Sequence, residues 1–144
     1  MINRVGIVCQ WVFDYDEGFD FYVNKVGLKV QMDAPMEGGA GRWVLLYAAD
    51  QPEVPIMLAV PGPPIMDVET ATKVRELVST GYLGFGGLAT DDCQKTYEEL
   101  KAKGVEFVEE PTERFYGIDA SFRDPFGNQL RLTQPKPMDE IAAP

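Results

Sequence analysis

Asp119 and Arg131 are the residues whose types and spacing best suit chemistry in this 144-residue sequence. They flank Asp124–Asn128, with the sequence DPFGN, which is typical of a tight turn because proline presets φ and glycine supplies a left-handed residue. A carboxylate can act as a base, and an arginine fork pairs with a carboxylate or binds an anionic group. The spacing therefore predicts a polar hairpin face that either forms an internal ion pair or contacts a ligand.

The hairpin on either side of this turn sorts its side chains into two faces. If Asp124 faces Asn128, then Phe122 pairs with Leu130, and alternation fixes the remaining positions. The apolar face, which belongs against a helix, carries Ile118, Ala120, Phe122, Leu130 and Leu132. The other face, which belongs to water or to a polar cavity, carries Asp119, Ser121, Arg123, Gln129, Arg131 and Thr133.

The composition excludes several kinds of chemistry. There is no histidine, which removes the commonest general base and the commonest ligand for zinc, iron, nickel and copper. A net charge of −10 argues against nucleic acid or a membrane surface as a partner, since either requires a basic face. Two cysteines, Cys9 and Cys93, are too few for a disulfide framework, and no apolar run is long enough to span a bilayer. These features favour the cytoplasm.

Periodicity and breaker residues predict the elements that must position these side chains. Each expected helix follows an aspartate cap and precedes a glycine; the helices are Glu17–Asn24, Val68–Ser79 and Cys93–Lys103. The strands expected before the hairpin are Val5–Phe13, Leu28–Met32, Arg42–Ala48, Val54–Val60, Leu83–Thr90 and Val105–Val108. A loop is expected at Glu109–Tyr116, and the tail from Pro135 is expected to be loosely ordered.

The two halves of the chain repeat one plan, a strand, a helix and three strands. Each repeat has a half-covered sheet, so two must pack together to bury a core. This plan, with VFDYDEGFDFYVNKVGL in the first half and TDDCQKTYEELKAKGVEF and RDPFGNQLRL in the second, resembles the vicinal oxygen chelate superfamily. That superfamily includes glyoxalase I, extradiol dioxygenases, fosfomycin-resistance enzymes and bleomycin-resistance proteins.

The resemblance implies an α+β fold in which two βαβββ modules form a curved mixed sheet around a cleft. It predicts a single domain over residues 1–134, with modules at 5–60 and 83–134, an inserted helix at 67–80 between them and a tail at 135–144. It also implies that the protein is a homodimer.

Metal enzymes of the superfamily place their ligands on the first and last strands of each module. The matching positions here are Ile7, Met57, Phe85 and Arg131. Only the methionine sulfur suits a metal, and then soft copper, while Arg131 would repel a cation. We therefore expect no metal ion and no other cofactor.

The predicted ligand-binding residues combine aromatic and polar side chains and are Trp11, Met57, Phe85, Tyr116, Asp119 and Arg131. Trp11 and Phe85 have the cavity-facing parity of their strands, so they are either ordinary core aromatics or an aromatic wall for a flat ligand. Met57 would add an adaptable surface. Tyr116 precedes the hairpin and is either a packed loop residue or part of the pocket rim.

Three positions in the first module raise separate questions. Gln10 falls on the face that meets the first helix, where a buried amide needs a partner or costs about 1 to 3 kcal/mol. Cys9 is expected to be a small buried hydrophobe, because no histidine exists to activate it. Parity alone does not decide whether Trp43 lies on the inward face of strand 42–48.

The function favoured by these observations is metal-independent binding of a small organic molecule, expected to be aromatic. The protein would resemble bleomycin-resistance-type proteins that sequester an antibiotic without breaking a bond. The alternative is an enzyme of the same fold, either a lyase or dioxygenase with displaced metal ligands or a metal-free isomerase or cyclase that uses Asp119. The fold alone does not choose between these functions.

Overall fold

The structure is a computed structural model that describes residues 1–84 and 86–141. Its sheets are two four-stranded mixed sheets with the same strand order, which confirms the duplicated α+β plan. The chain divides into two compact units. The first contains the residues up to 84 together with Pro125–Asn128, and the second contains Gly86–Asp124 and the chain from Gln129.

The first unit is built on a sheet of order β1-β4-β3-β2, in which β1 and β4 are parallel and the other pairs are antiparallel. Its helix α1 continues directly into a π-helical segment at Asp20–Lys25. In chain order the elements are β1 (Val8–Trp11), α1 (Tyr15–Phe19), β2 (Lys29–Pro35), a 3₁₀ turn (Glu37–Gly39), β3 (Arg42–Ala48), β4 (Gln51–Ala59) and α2 (Val68–Thr80).

The second unit repeats this arrangement with the order β5-β8-β7-β6, in which β5 and β8 are parallel. Its elements are β5 (Gly87–Ala89), α3 (Cys93–Ala102), β6 (Glu106–Arg114), β7 (Gly117–Arg123), β8 (Gln129–Pro135) and α4 (Met138–Ile141). The helix α2 lies between the two modules in the sequence, as predicted for the insertion.

The core of the first unit lies between its sheet and the helical segment after β1. Val12 is fully buried, and a β-carbon added to Gly18 would lie 2.9 Å from Val12 Cγ1, so glycine allows the helix to approach the sheet. Gln10 also faces the helix and is 1% exposed. Its Nε2 donates a 2.8 Å hydrogen bond to Tyr22 Oη, which supplies the partner that the buried amide requires.

The hairpin of the second unit has the predicted register. Phe122 pairs with Leu130 and Ser121 with Arg131, and Gly127 adopts a φ of 101° in the turn. The apolar face packs with α3 through buried side chains, which include Ala120, Phe122, Leu130, Leu132, Tyr97 and Leu100. Because side chains alternate along each strand, the polar face of the hairpin lies on the opposite side of this sheet from α3.

One prediction about the second half is wrong. The expected loop at Glu109–Tyr116 is largely strand, because β6 runs to Arg114 and pairs with β7 despite register shifts. Because β6 is an edge strand, its outer side has no neighbouring strand in this sheet. The absent amide hydrogen of Pro111 therefore removes no hydrogen bond on that side. In the tail, Pro135 ends β8 and Met138–Ile141 forms a helical turn.

Several element boundaries also differ from the sequence prediction. The first strand is shorter than expected and begins at Val8. Helix α1 begins at Tyr15, because Asp14 is its N-cap and accepts a 2.8 Å hydrogen bond from the Glu17 amide. Strand β5 covers only Gly87–Ala89. Helix α2 matches its prediction to within one residue and ends at Gly81, which has a φ of 83°.

Candidate functional site

An apolar pocket of about 230 Å³ lies in the first unit. Its lining combines aromatic rings, two methionine side chains and small apolar groups, contributed by Cys9, Trp11, Tyr15, Met36, Trp43, Met57, Leu58, Ala59 and Ile65. A pocket of this composition suits a flat, uncharged group, because aromatic faces stack and thioethers adapt to irregular surfaces.

The sheet register gathers the strand residues of this pocket. Cys9 lies beside Met57, and Trp11 lies beside Ala59, on the parallel strands β1 and β4. Because side chains alternate along a strand, this face is opposite the one that carries Gln10 and meets the helix. The predicted grouping of Trp11 and Met57 on one face is therefore observed.

Trp43 also lines the pocket and is 42% exposed. Its neighbour Val44 is fully buried on the helix side of the sheet. The face of β3 that carries Trp43 is therefore the pocket face, which answers the question left open by strand parity.

Three pocket residues lie outside the sheet. Tyr15 begins α1, Met36 follows β2, and Ile65 lies in the segment between β4 and α2. Gly41 sits beside two of them, since an added β-carbon would lie 3.1 Å from Tyr15 Oη and 3.5 Å from Met36 Sδ. Its φ of 138° also disfavours a side chain, so glycine allows the chain to pass close to this edge of the pocket.

An ion-pair cluster lies next to the pocket residue Tyr15. Arg42 donates through Nη1 to Asp16 at 2.6 Å and through Nε and Nη2 to Asp33 at 2.6 and 2.8 Å. The hydrogen bonds from Arg42 lower the pKa of the Asp33 carboxyl. The cluster ties the start of α1 to β2 and β3, and Asp16 and Arg42 directly adjoin the pocket residues Tyr15 and Trp43 in the chain.

Cys9 does not behave as the buried hydrophobe that the sequence predicted. The residue is exposed and lines the pocket, because the pocket face of β1 is open at this point. Neighbouring atoms still desolvate the thiol and raise its pKa. The neutral thiol is therefore the resting form at neutral pH, and it contributes a soft apolar surface.

A polar cluster surrounds Asp119 in the second unit, with members on β6, β7 and β8 and in the turn between β6 and β7. The Asp119 side chain is 1% exposed, and it accepts a short hydrogen bond from Tyr116 Oη. Arg131 Nη1 lies 3.3 Å from Asp119 Oδ2, and Arg114 Nε lies 3.5 Å from Oδ1. Both arginines also reach Glu109, at 3.1 and 3.4 Å. This arrangement balances two carboxylates against two guanidinium groups.

The cluster raises the pKa of two of its members, Tyr116 and Arg131. The hydrogen bond to Asp119, together with partial burial, raises the pKa of Tyr116. Partial burial disfavours the charged form of Arg131, but the carboxylates of Asp119 and Glu109 outweigh this effect and raise its pKa. The Asp119 side chain is already occupied by Tyr116 and two arginines, and these contacts do not favour its use as a general base.

Equivalent positions of the two sheets carry opposite chemistry. In the first sheet Met57 lies between Cys9 and Leu45; in the second, the equivalent Arg131 lies between Gly87 and Ser121. A β-carbon on Gly87 would lie 2.6 Å from the Arg131 carbonyl oxygen, so glycine is required there. The duplicated fold therefore presents an apolar face in one unit and an ionic face in the other.

Five of the six predicted ligand-binding residues are described, and they fall into two groups. Trp11 and Met57 line the pocket, whereas Tyr116, Asp119 and Arg131 form the polar cluster. Phe85 lies outside the described residues. The pocket residues absent from the predicted ligand-binding set are Cys9, Tyr15, Met36, Trp43, Leu58, Ala59 and Ile65. Strand parity was a usable signal for Cys9, Trp43 and Ala59, whereas Tyr15, Met36 and Ile65 lie outside the sheet.

The residues at the superfamily's metal positions do not fit a divalent cation. Ile7 offers no donor atom, Met57 lines the apolar pocket, and Arg131 is a cation held by two carboxylates. Within residues 1–84 and 86–141, no cluster of three or more His, Cys, Asp or Glu side chains is arranged to hold a metal ion. Among the helices of the same residues, none has the length and apolar character needed to cross a membrane.

Comparison with known proteins places these features in a family context. The family model of the Glyoxalase/Bleomycin resistance protein/Dioxygenase superfamily matches residues 2–132. An uncharacterized protein of Shewanella frigidimarina (strain NCIMB 400) is 32% identical and aligns over 85% of this chain and 87% of its own length.

Two solved structures share both fold and sequence with this chain. UcmS2 superposes with a TM-score of 0.86 at 38% identity, covering 93% of this chain and 99% of its own. TnmS3, an antibiotic binding protein from Streptomyces sp. CB03234, superposes with a TM-score of 0.73 at 27% identity, covering 94% of this chain and 98% of its own.

Proposed function

We propose that this chain, which belongs to the Glyoxalase/Bleomycin resistance protein/Dioxygenase superfamily, is a small-molecule-binding protein that holds an aromatic compound without altering it. An antibiotic is the ligand class that the proposal favours. The likeness to TnmS3, an antibiotic binding protein, supports this class.

The observation that carries the proposal is the composition of the apolar pocket. Trp11, Trp43 and Met57 supply rings and a thioether around a space of about 230 Å³. None of the described residues lining it is a carboxylate, a lysine or an arginine. Apolar burial and stacking are therefore the forces available to a ligand, and both suit a planar uncharged group.

Catalysis finds less support than binding. The ionisable side chains of the pocket lining are Cys9 and Tyr15, and the pKa of the Cys9 thiol is raised. The carboxylate that sequence reasoning put forward as a base, Asp119, already accepts from Tyr116 and pairs with two arginines. Use of Asp119 as a base would require these contacts to be broken.

The polar cluster is proposed as a second contact surface for ligands. Within the described residues, the Arg131 guanidinium donates through Nη1 alone, so Nε and Nη2 remain able to bind an acceptor. Tyr116 and Asp119 would hold the arginine in place for this contact. An arginine fork of this kind suits a carboxylate, a carbonyl or a phenolate oxygen.

Metal independence, a homodimeric state and a cytoplasmic location complete the proposal. The unsuitable side chains at Ile7, Met57 and Arg131 support binding without a metal. Elemental analysis of protein purified without chelator checks this point, and one equivalent of a transition metal per chain would overturn it. Light scattering of the purified protein gives the oligomeric state.

Tryptophan fluorescence tests the binding function directly. The chain has two tryptophans, and both line the pocket, so a ligand that enters should change the whole tryptophan signal. Titration begins with N-phenyl-1-naphthylamine and continues through a panel of aromatic antibiotics. Trp11→Ala should weaken binding about two- to tenfold, as expected from the loss of one stacking contact.

Leu77→Ala is the matched control, since Leu77 is 53% exposed on α2 and absent from the pocket lining; it should leave binding unchanged. Mass spectrometry of the bound compound, after incubation with a large excess over protein, separates a binder from an enzyme. Recovery of unaltered compound supports the binder. Catalytic conversion of the compound would refute it.

A further inference from the structure

The segment between β4 and α2 supplies one wall of the apolar pocket. Ile65 is the pocket residue contributed by this segment, and it is 48% exposed. A side chain that lines a pocket while half its surface faces solvent lies at the pocket's opening. Ile65 therefore marks the place where the segment inserted between the modules meets the space available to a ligand.

The base of this segment is held by hydrogen bonds on both sides of Ile65. The Met66 amide donates to the Gly62 carbonyl at 3.0 Å, which closes a turn around the residue. Beyond it, Asp67 caps α2 and accepts from the Thr70 amide at 2.6 Å. The main chain that carries Ile65 is thus fixed between a closed turn and a capped helix.

Arg75 of α2 links the residue before this turn to the residues that follow β1. Its Nη2 donates to the carbonyl of buried Pro61 at 3.1 Å. Its guanidinium also lies 4.8 Å from the ring centroid of Phe13, two residues beyond Trp11. A guanidinium stacked on a ring has a fixed orientation, so its hydrogen bond holds the carbonyl in one place.

We propose that Ile65 is a specificity-determining residue that limits the size of the group entering the pocket, and that Arg75 is the positioning residue that holds this wall in place. The role as a specificity determinant rests on the proposed ligand-binding function. Ile65 would select planar aromatic groups by their width at the opening of the pocket. A hydrophobic pocket can discriminate between ligands that differ in size by as little as one methylene group.

The steric part of this proposal can be measured without any ligand, because Cys9 lines the same pocket. Its alkylation by a small reagent, iodoacetamide, and a bulky one, N-(1-pyrenyl)maleimide, gives a ratio of rates that reports access. Cys93 is fully buried, so the reaction of the native protein reports on Cys9. Cys9→Ser should abolish the reaction with both reagents.

Ile65→Ala should raise the ratio of the bulky to the small reagent's rate several-fold, and Ile65→Phe should lower it, while Leu77→Ala leaves it unchanged. Arg75→Ala should raise the ratio in the same direction. Arg75→Lys, which keeps a cationic donor, should recover part of the wild-type value. Thermal unfolding of each variant shows that the fold is retained.

An unchanged ratio in both Ile65 variants would overturn the role of the wall, and an unchanged ratio in Arg75→Ala alone would overturn the role of Arg75. These outcomes are distinct from failure of the proposed function. If the ratio shifts but N-phenyl-1-naphthylamine and the antibiotic panel do not bind, the steric wall stands and the binding function falls. If aromatic compounds bind but the ratio does not shift, the binding function stands and the role of Ile65 at the opening falls.

Discussion

The amide of Gln10 donates a 2.8 Å hydrogen bond to the phenol oxygen of Tyr22, and the two residues are 1% and 0% exposed. Gln10 lies on β1, and Tyr22 lies in the π-helical segment after α1. The bond therefore fixes the helical segment on one face of the sheet whose other face carries the pocket.

Removal of this bond is expected to destabilise the first unit. Tyr22→Phe should lower the free energy of unfolding by about 1 to 3 kcal/mol, because the buried Gln10 amide loses its acceptor. Urea unfolding followed by circular dichroism measures the change. In the Tyr22→Phe background, Gln10→Leu should cost less than it does alone, and equal costs in both backgrounds would mean that the pair is not coupled.

Gln10 also shows how far the sequence could predict the fold. Strand alternation placed it correctly on the helix face, and the turn residues around Gly127 predicted the hairpin register. Alternation says nothing about edge strands rich in charge, so the sequence predicts a loop from Glu109, whereas β6 continues to Arg114. Its glutamates lie on an edge strand that is solvated on one side, where charged residues cost little and protect against edge pairing.

The hairpin register makes a second prediction, about core packing. Leu130→Ala should lower the free energy of unfolding by about 2 to 5 kcal/mol, because the side chain is 1% exposed and its truncation leaves a cavity. Leu77→Ala is the same substitution at a side chain that is 53% exposed, and it should cost well under half as much. Similar losses in the two variants would contradict the burial of Leu130.

The candidate site was less predictable than the fold, for a physical reason. Trp11 and Met57 sit on strands, where a period of two fixes which face each side chain occupies. Met36 and Ile65 reach the pocket from connections, whose path depends on contacts made far away in the sequence, such as that between Arg75 and Phe13. Local pattern does not encode those contacts.

The raised pKa of Tyr116 predicts a pH dependence at the alkaline end. A folded-state pKa above the unfolded value of about 10 means that the neutral phenol is favoured by folding. The stabilisation is fully present below about pH 10, and it is lost as the pH rises through the folded pKa. Tyr116→Phe should therefore cost roughly 1 to 2 kcal/mol at neutral pH, since a hydrogen bond to a charged group is lost.

This cost should shrink above pH 10, which urea unfolding at several pH values will measure. Absorbance at 295 nm should also show a late-titrating tyrosine in the wild type that Tyr116→Phe removes. Tyr82→Phe controls for the loss of one phenol, because Tyr82 is 93% exposed. A cost that stays constant from pH 7 to beyond the tyrosine titration would contradict the assignment.

The two cysteines should differ sharply in reactivity. Cys93 is fully buried, and its Sγ lies 3.6 Å from the Leu132 carbonyl oxygen, whereas Cys9 is exposed in the pocket. Iodoacetamide should therefore modify Cys9 alone in the native protein and both cysteines in urea, as peptide mass spectrometry will show.

Because the pKa of Cys9 is raised, its alkylation should be slow at pH 7 and accelerate as the pH rises toward that pKa. An aromatic compound that fills the pocket should slow this reaction further. Modification of Cys93 in the native protein would contradict its burial. Equal rates for Cys9 with and without a bound compound would contradict the placement of Cys9 in the pocket lining.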